Sequence, residues 1–330
     1  MANPEANTAT SRPFIGVEPF DAAYGAGFRA DEEDQHTVEC RVVEDGGHFR
    51  IHRPPDAGPP ARLCFVDGVR RTEAHLTLTN PEGETITGLA GAWGAGAVLI
   101  GRDGPAEISH EEIGRAVIFS GGEQVRLSAH PGGWRWMSLS VESVEPHAAS
   151  QHLQRLMRDA EAEIADRLFA EGWLVVFDGP LHYLRRSRAA PVVGYVKTHH
   201  RRTLTVEHWQ QVPRLAVGER TSMFAMKDDR YACYIRVGDS GPWAGPWAGI
   251  ARLEVPTSSG SGQAIRTVDR AARWLPAFAS APHRDARAPV NLAPVARLEQ
   301  HLHHLFGDSR LALRAVREAV MQHNRHEETA

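Results

Sequence analysis

The chain has 330 residues, of which 42% are hydrophobic and 24% charged, and its formal net charge is −4. This length allows one large domain or two modest ones, and the lack of an 18-residue apolar run predicts that no segment spans a membrane. Three widely spaced cysteines, an odd number, argue against a disulfide framework and favour a reducing cytoplasm.

The first 60 residues are predicted to form an N-terminal arm and linker, followed by one folded domain over residues 61–330. Residues 1–35 are rich in Ala, Gly, Asp and Glu with little hydrophobic periodicity, which indicates a flexible or partner-bound arm. The stretch RPPDAGPPA at 53–61 cannot continue a regular element, because each proline removes a backbone donor and restricts the chain.

The segment after the linker is predicted to begin a sheet. RLCFVDG at 62–68 is a short apolar run closed by Asp-Gly, which is typical of a buried central strand. AHLTLTN at 74–80 alternates apolar and polar residues, so it is predicted to be the hairpin partner. Further strands are predicted at 97–100, 115–119 and 134–142. Trp134 and Trp136 share one face of the last strand and are predicted core residues, with stacking on nucleic-acid bases as the alternative.

The hydrophobic period then changes to that of a helix. SQHLQRLMRDAEAEIADRLFAEG at 150–172 places its apolar residues close to one stripe, with Ser150 as predicted N-cap and Gly172 as the stop. WLVVFDGPL (173–181) and PVVGYVK (191–197) are predicted buried strands. The remaining predicted elements are strands at 231–237 and 247–255 and helices at about 263–274, 292–306 and 308–323. This order predicts an α/β fold: a mixed sheet flanked by helices, with additional strands and C-terminal helices.

Asp67 and Asp178 occupy the same frame, FVDG and VFDG, at the predicted ends of two buried strands. A carboxylate at the C-terminal end of a central strand points into the crevice where α/β sheets bind ligands, although Asp-Gly is also a favoured turn dipeptide. The helix before Asp178 offers a third acid, with Glu161 and Glu163 as the candidates. Three converging carboxylates suit Mg²⁺ or Mn²⁺, which prefer oxygen ligands.

The order FVDG, acidic helix, VVFDGPL and VVGYVK resembles the NurA family of nucleases over about residues 62–305. The resemblance implies an RNase H-like core and a divalent-metal-dependent DNA nuclease of end resection or repair, with exonuclease and endonuclease action both open. It also implies a HerA-type hexameric ATPase or translocase as partner, and a homodimer. The family pattern implies that Asp67, Glu161 and Asp178 are metal ligands. It also implies that Lys197 contacts phosphate or orients the site.

One stretch departs from the family pattern. The family ends with a helix that carries Ala-His, and the matching stretch APVNLAPVARLEQHLHHLFGD has Ala296 where the histidine is expected. His301, His303 and His304 follow on the same helix as candidate substitutes, or the ligand is absent. Together with the negative net charge, this keeps open a non-catalytic scaffold that binds DNA and the translocase. An enzyme that acts on RNA is a further alternative.

Overall fold

The structure of the protein is a computed structural model. It describes residues 14–17, 41–55, 61–80, 83–102, 104–181, 192–197, 203–227, 229–239, 247–281 and 290–329.

Thirteen strands of the described residues lie in one sheet. They are β1 (Phe14–Val17), β2 (Arg41–Val42), β3 (Ile51–His52), β4 (Arg62–Thr79), β5 (Thr85–Gly101), β6 (Glu107–Phe119), β7 (Met137–Ser140), β8 (Leu174–Asp178), β9 (Val192–Val196), β10 (Arg220–Thr221), β11 (Phe224–Met226), β12 (Arg230–Arg236) and β13 (Ile250–Pro256). The α-helices are α1 (Ala148–Ala170), α2 (Val206–Trp209), α3 (Ser261–Trp274), α4 (Ala293–Leu305) and α5 (Ser309–Thr329). The strand order is β2-β11-β12-β13-β9-β8-β4-β5-β6-β7, with β1 paired to β4 and β10 paired to β12 and β3.

The centre of the sheet combines parallel and antiparallel pairs. β4, β8 and β9 run parallel, whereas β5 and β6 continue from β4 as an antiparallel meander. Parallel neighbours need a long crossover, and α1 provides it between β7 and β8. β12 and β13 form the predicted late strand pair. The predicted α/β fold with a mixed sheet flanked by helices is confirmed.

The predicted hairpin within residues 62–80 is wrong, because both of its halves belong to one strand, β4. Asp67 and Gly68 stay extended and pair with β5, so Asp67 lies inside the strand and not at its end. The chain turns only after Thr79. A Cβ at Gly68 would lie 2.7 Å from Glu161 Oε1 on α1, so this glycine permits close packing of the helix instead of forming a turn.

A β-bulge changes which residues of β4 face each side of the sheet. The register against β5 shifts between Thr72 and Ala74, which leaves Glu73 as the extra residue. Phe65 before the bulge and Leu76 after it therefore face the same side, although one number is odd and the other even. The residues that face one side of such a strand therefore do not follow a strict period of two along the sequence.

Helices cover both faces of the sheet. α1 packs on one face against a core that includes Cys64, Val66 and Phe177. α3 and α4 pack on the other face, against Phe65 and its neighbours, and α5 continues that second face beside β6. Because successive strand residues alternate between faces, the side chain of Asp67 points toward α4.

The helix predictions hold, with changes at the ends. α1 begins at Ala148 with His147 at its N-cap position, so the prediction of Ser150 as N-cap is wrong. Gly172 does end this helix: its φ is 84° and its N–H donates to the carbonyl of Phe169. The three predicted C-terminal helices are present as α3, α4 and α5.

Three strand predictions need correction in length. β6 begins at Glu107, so the strand predicted at 115–119 is only its last part. β5 begins at Thr85, so the strand predicted at 97–100 is only the last part of a longer one. Of the strand predicted at 134–142, only the four residues of β7 are extended in the sheet. Trp136 precedes β7 and is buried in the core, as predicted.

Much of the predicted N-terminal segment lies outside the described residues. Its described part supplies β1, β2 and β3, which pair with β4, β11 and β10 respectively. The division between residues 60 and 61 stays a prediction. None of the described helices is long and apolar enough to cross a membrane.

Candidate metal centre

Three carboxylates from three elements converge at the C-terminal end of β8. Asp67 of β4 and Asp178 of β8 lie side by side, because the strands are parallel and Val66 pairs with Phe177. Glu299 approaches them from α4, the helix that covers this face. One carboxylate oxygen from each of the three residues lies within 4.8 Å of the other two.

Asp67 is the most deeply buried of the three, with 5% of its surface exposed. Among the described residues, its Oδ2 atom has no hydrogen-bond partner. Burial raises the pKa of Asp67 well above its usual range, and the nearby Asp178 and Glu161 raise that pKa further. A buried carboxylate without a donor is costly to ionise, so this environment favours a bound cation.

Lys197 directly follows β9 and forms an ion pair with Asp178. Its Nζ lies 2.6 Å from Asp178 Oδ2, and both side chains are largely buried. The ammonium group offsets part of the negative charge of the cluster. Three neighbouring parallel strands, β4, β8 and β9, thus bring together Asp67, Asp178 and Lys197, which were selected from the sequence.

Glu161 lies behind the cluster, on the opposite face of β4. It is fully buried on α1 and forms a 2.8 Å ion pair with Arg158. Burial raises the pKa of Glu161 to about 7, against the opposing effect of Arg158. Its Oε1 atom has no hydrogen-bond partner within the described part of the chain. Its carboxylate is not, however, a member of the three-residue group.

Glu163, the alternative candidate on α1, points away from the strands. Its side chain is 48% exposed and lies 3.7 Å from Arg167 in an i,i+4 pair. Of the two glutamates proposed from the sequence, Glu161 is therefore the one beside the cluster.

Glu299 was missed by the sequence analysis, although a signal for it was present. The family pattern predicts a histidine on α4 at the position of Ala296. Glu299 follows Ala296 by three residues, and residues three apart on a helix share a face. A carboxylate one turn further along the helix can thus reach the place where the family pattern expects the histidine.

The three candidate histidines of α4 lie outside the metal-binding groups found among the described residues. His301 pairs with Glu111 of β6 at 2.8 Å, and His304 is exposed. His303 lies one turn beyond Glu299, and burial together with Arg71 lowers its pKa. The structure therefore brings a carboxylate, rather than a histidine, from α4 to the two aspartates.

Two arginines hold the C-terminal end of α4. Arg71 of β4 and Arg115 of β6 both pair with the bulge residue Glu73, at 2.9 and 3.3 Å, and the side chain of Glu73 is fully buried. Both guanidinium groups also donate to the carbonyl of Phe306. Because the last carbonyls of a helix have no intrahelical partner, these bonds cap α4. They therefore fix the helix that carries Glu299.

A second buried network holds the segment after Asp178. Glu254 of β13 accepts a hydrogen bond from the backbone N–H of Leu181 and pairs with Arg230 and Arg252 at 2.7 and 2.8 Å. Burial alone would raise the pKa of Glu254, but Arg252 and Arg230 hold it below its usual range. This carboxylate is satisfied by protein donors and anchors the end of β8.

A second acidic group, Glu44, Asp45 and His52, lies among the N-terminal strands. Arg220 donates twice to Glu44 at 2.8 Å, while Ser222 and His52 bond to Asp45. These carboxylates already have protein donors, unlike Asp67 Oδ2. The group around Asp67 is therefore the better candidate for a cation, and its all-oxygen donor set fits Mg²⁺ or Mn²⁺.

Comparison with known proteins identifies a family. A family model described as the NurA domain matches residues 62–298. The match includes β4, α1, β8 and β9, and it ends one residue before Glu299. A search of curated proteins found no match.

Proposed function

The chain belongs to the NurA family, and on that premise we propose that it is a divalent-metal-dependent DNA nuclease that hydrolyses phosphodiester bonds. Family membership indicates a nuclease-like role in DNA processing. One observation carries the finer proposal: Asp67, Asp178 and Glu299 converge, and a buried oxygen of Asp67 lacks a donor among the described residues.

We assign Asp67, Asp178 and Glu299 as ligands of Mn²⁺ or Mg²⁺. A divalent ion bound there would supply Lewis acidity and would lower the pKa of a water molecule that attacks phosphorus. Glu161 stays a proposed ligand as well, since its Oε1 lies against Gly68, where no side chain intervenes. In the absence of a ligand role, Glu161 positions the site through Arg158, which donates to the backbone carbonyl of Asp178.

Lys197 is the proposed phosphate contact. Its ammonium group lies at the edge of the carboxylate cluster, 2.6 Å from Asp178. A fixed cation beside the reacting group stabilises the charge that develops on phosphorus oxygens in the transition state. While paired with Asp178, Lys197 also orients that carboxylate.

DNA is the proposed substrate, recognised through its backbone. The described site offers an ammonium group that can contact phosphate and carboxylates that would hold a cation for it, and phosphate contacts carry no sequence information. We therefore propose weak sequence preference and strong salt dependence. With a net charge of −4, attraction for DNA depends on local cationic groups and the bound metal.

The family resemblance supports three further proposals. The protein acts in DNA end resection or repair with a HerA-type hexameric ATPase or translocase. It forms a homodimer. It works in the cytoplasm, where the low cysteine content is usual.

A digestion experiment tests the proposed function. The parent protein is incubated with single-stranded DNA, duplex DNA and RNA of the same sequence, in Mn²⁺, Mg²⁺ or EDTA, with and without a HerA-type partner. We expect cleavage of DNA with a divalent ion and none in EDTA. We expect a rate reduction of at least about 100-fold in each of the variants Asp67→Asn, Asp178→Asn and Glu299→Gln. Glu163→Gln also removes one negative charge, but at an exposed position, and should leave the rate unchanged.

Other outcomes identify the alternatives. DNA binding without cleavage in any metal, with or without the partner, would indicate the non-catalytic scaffold. Preferential cleavage of RNA would indicate the RNA-directed enzyme. Undiminished cleavage by Asp67→Asn and Asp178→Asn would overturn the assignment of the site.

A further inference from the structure

A groove lies beside β7, the last strand in the order of the sheet. Its volume is about 340 Å³, near the lower limit of ligand-sized pockets. The lining residues are Arg126, Leu127, Ala129, Arg135, Trp136 and Ser138. Two guanidinium groups thus flank the groove, and its lining contains no carboxylate.

The two arginines differ from three arginines that are held by ion pairs. Arg71, Arg115 and Arg220 each pair with a carboxylate. Arg126 and Arg135 are exposed, and neither has an ion-pair or hydrogen-bond partner within the described part of the chain. Their charges are therefore free to meet an anion.

Trp136 and Ser138 belong to the wall of the groove. Trp136 is 9% exposed, and its indole Nε1 is buried without a hydrogen-bond acceptor among the described residues. The hydroxyl of Ser138 donates to the carbonyl of Val125 at 2.7 Å, so it leaves only lone pairs for a ligand. The groups of the groove that can meet an anion are therefore the two exposed guanidinium groups.

The groove and the carboxylate cluster lie on the same face of the sheet. Trp136 packs in the core beneath α5, and Asp67 points toward α4 on that face. Met137 lies on β7, the third strand from β4, and pairs with Ala116 of the intervening strand β6. With strands about 4.8 Å apart and a rise of about 3.3 Å per residue, the groove lies on the order of 20 Å from Asp67.

We infer that this groove binds the sugar–phosphate backbone of the DNA strand, away from the carboxylate cluster; the inference rests on the proposed function for the identity of the ligand. Planar guanidinium groups bind phosphate through paired hydrogen bonds. The ring of Trp136 is buried, so its face is not offered to a base. At about 3.4 Å per phosphate along one strand, a span on the order of 20 Å corresponds to about six nucleotides.

A salt titration of DNA binding tests the inference. Affinity of a duplex of about 20 base pairs is measured in EDTA, so that no cleavage occurs, for the parent and for the double variant Arg126→Gln/Arg135→Gln. We expect the variant to bind at least about tenfold more weakly. Its slope of log affinity against log salt should be smaller by about 2, because each lost phosphate contact removes about 0.9.

The matched control is Arg167→Gln/Arg266→Gln, which removes the same charge from exposed positions on α1 and α3. This control should leave the salt slope unchanged. Equal slopes for the parent and the groove variant would overturn the inference, and so would an equal decrease in the control. Thermal unfolding of all three proteins checks that they are folded. Because binding is read without metal, a failure of the nuclease proposal would leave this result interpretable.

Discussion

Gly68 separates two buried carboxylates, Asp67 on one face of β4 and Glu161 behind the other. A Cβ at position 68 would lie 2.7 Å from both Glu161 Oε1 and Met157 Cγ, and 2.9 Å from the carbonyl oxygen of Gly94. The side-chain atoms can shift, but the backbone oxygen belongs to a paired strand. The glycine therefore allows α1 to approach the strand that carries Asp67.

We expect Gly68→Ala to lower the free energy of unfolding by about 1–3 kcal/mol, the usual cost of overpacking a core. Chemical denaturation in EDTA measures this change. Gly101→Ala is the control, because a Cβ there would meet nothing within 4 Å, and it should change stability by less than about 0.5 kcal/mol. Equal stability of the two variants would contradict close packing of α1 at Gly68.

The raised pKa values of Asp67 and Glu161 predict a pH dependence of stability. Burial raises both, that of Glu161 to about 7 from its ordinary 4.5. The unfolded chain releases these protons at ordinary carboxylate pKa values, while the folded chain still holds them. The stabilisation that these retained protons provide is therefore complete below the pKa of the unfolded chain and is lost as the pH rises. For Glu161 this loss falls between about pH 4.5 and pH 7.

Unfolding of the metal-free protein at pH 5 and pH 8 tests this sign. We expect the parent to lose stability toward pH 8, and Asp67→Asn to lose less, since the amide has no charge to bury. Glu163→Gln should behave as the parent does, because Glu163 is exposed. An identical pH dependence for the parent and Asp67→Asn would show that Asp67 ionises in the fold at no cost.

At the scale of elements, the position of α4 decides whether Glu299 reaches the aspartates. The cap formed by Arg71, Arg115 and the buried Glu73 holds the end of this helix. Outer groups that orient a metal ligand commonly affect metal affinity by about 10–100-fold. The cap should therefore influence metal binding, although none of its members belongs to the carboxylate group.

We expect Arg115→Met to weaken Mn²⁺ binding about tenfold or more, measured by isothermal titration calorimetry. Arg102→Met, which removes the same charge at an exposed position, should have little effect. If the cap acts through Glu299, the loss should largely disappear in a Glu299→Gln background. Additive losses in the double variant would show that Arg115 acts by another route.

The elements also show which structural features local sequence patterns predict. α3 and α5 follow a helical period that is visible in the sequence, and so do most residues of α1. The hairpin assigned within β4 was wrong because the bulge at Glu73 shifts the alternation of apolar and polar residues by one position, as a break between two strands would. Gly68 was assigned to a turn because its reason for being glycine, the approach of α1, is a tertiary contact.

At the scale of the whole molecule, the site depends on segments far apart in the chain. Strand ends can be read from apolar runs, so Asp178 was assigned correctly to the end of β8. Lys197 was selected only through the family resemblance, and it lies 2.6 Å from Asp178. Asp67 lies beside Asp178 although its strand does not end there. Glu299 needed the docking of α4 across the sheet, which no local pattern specifies. The family match itself stops at residue 298, one position short of that glutamate.

The metal centre is tested by a titration of the purified protein with Mn²⁺, by calorimetry at pH 8. We predict that the parent binds the ion, that Asp67→Asn and Glu299→Gln each weaken binding by at least about tenfold, and that Glu163→Gln binds as the parent does. Binding that is unchanged in both Asp67→Asn and Glu299→Gln, or no binding by the parent, would contradict a metal centre at Asp67, Asp178 and Glu299.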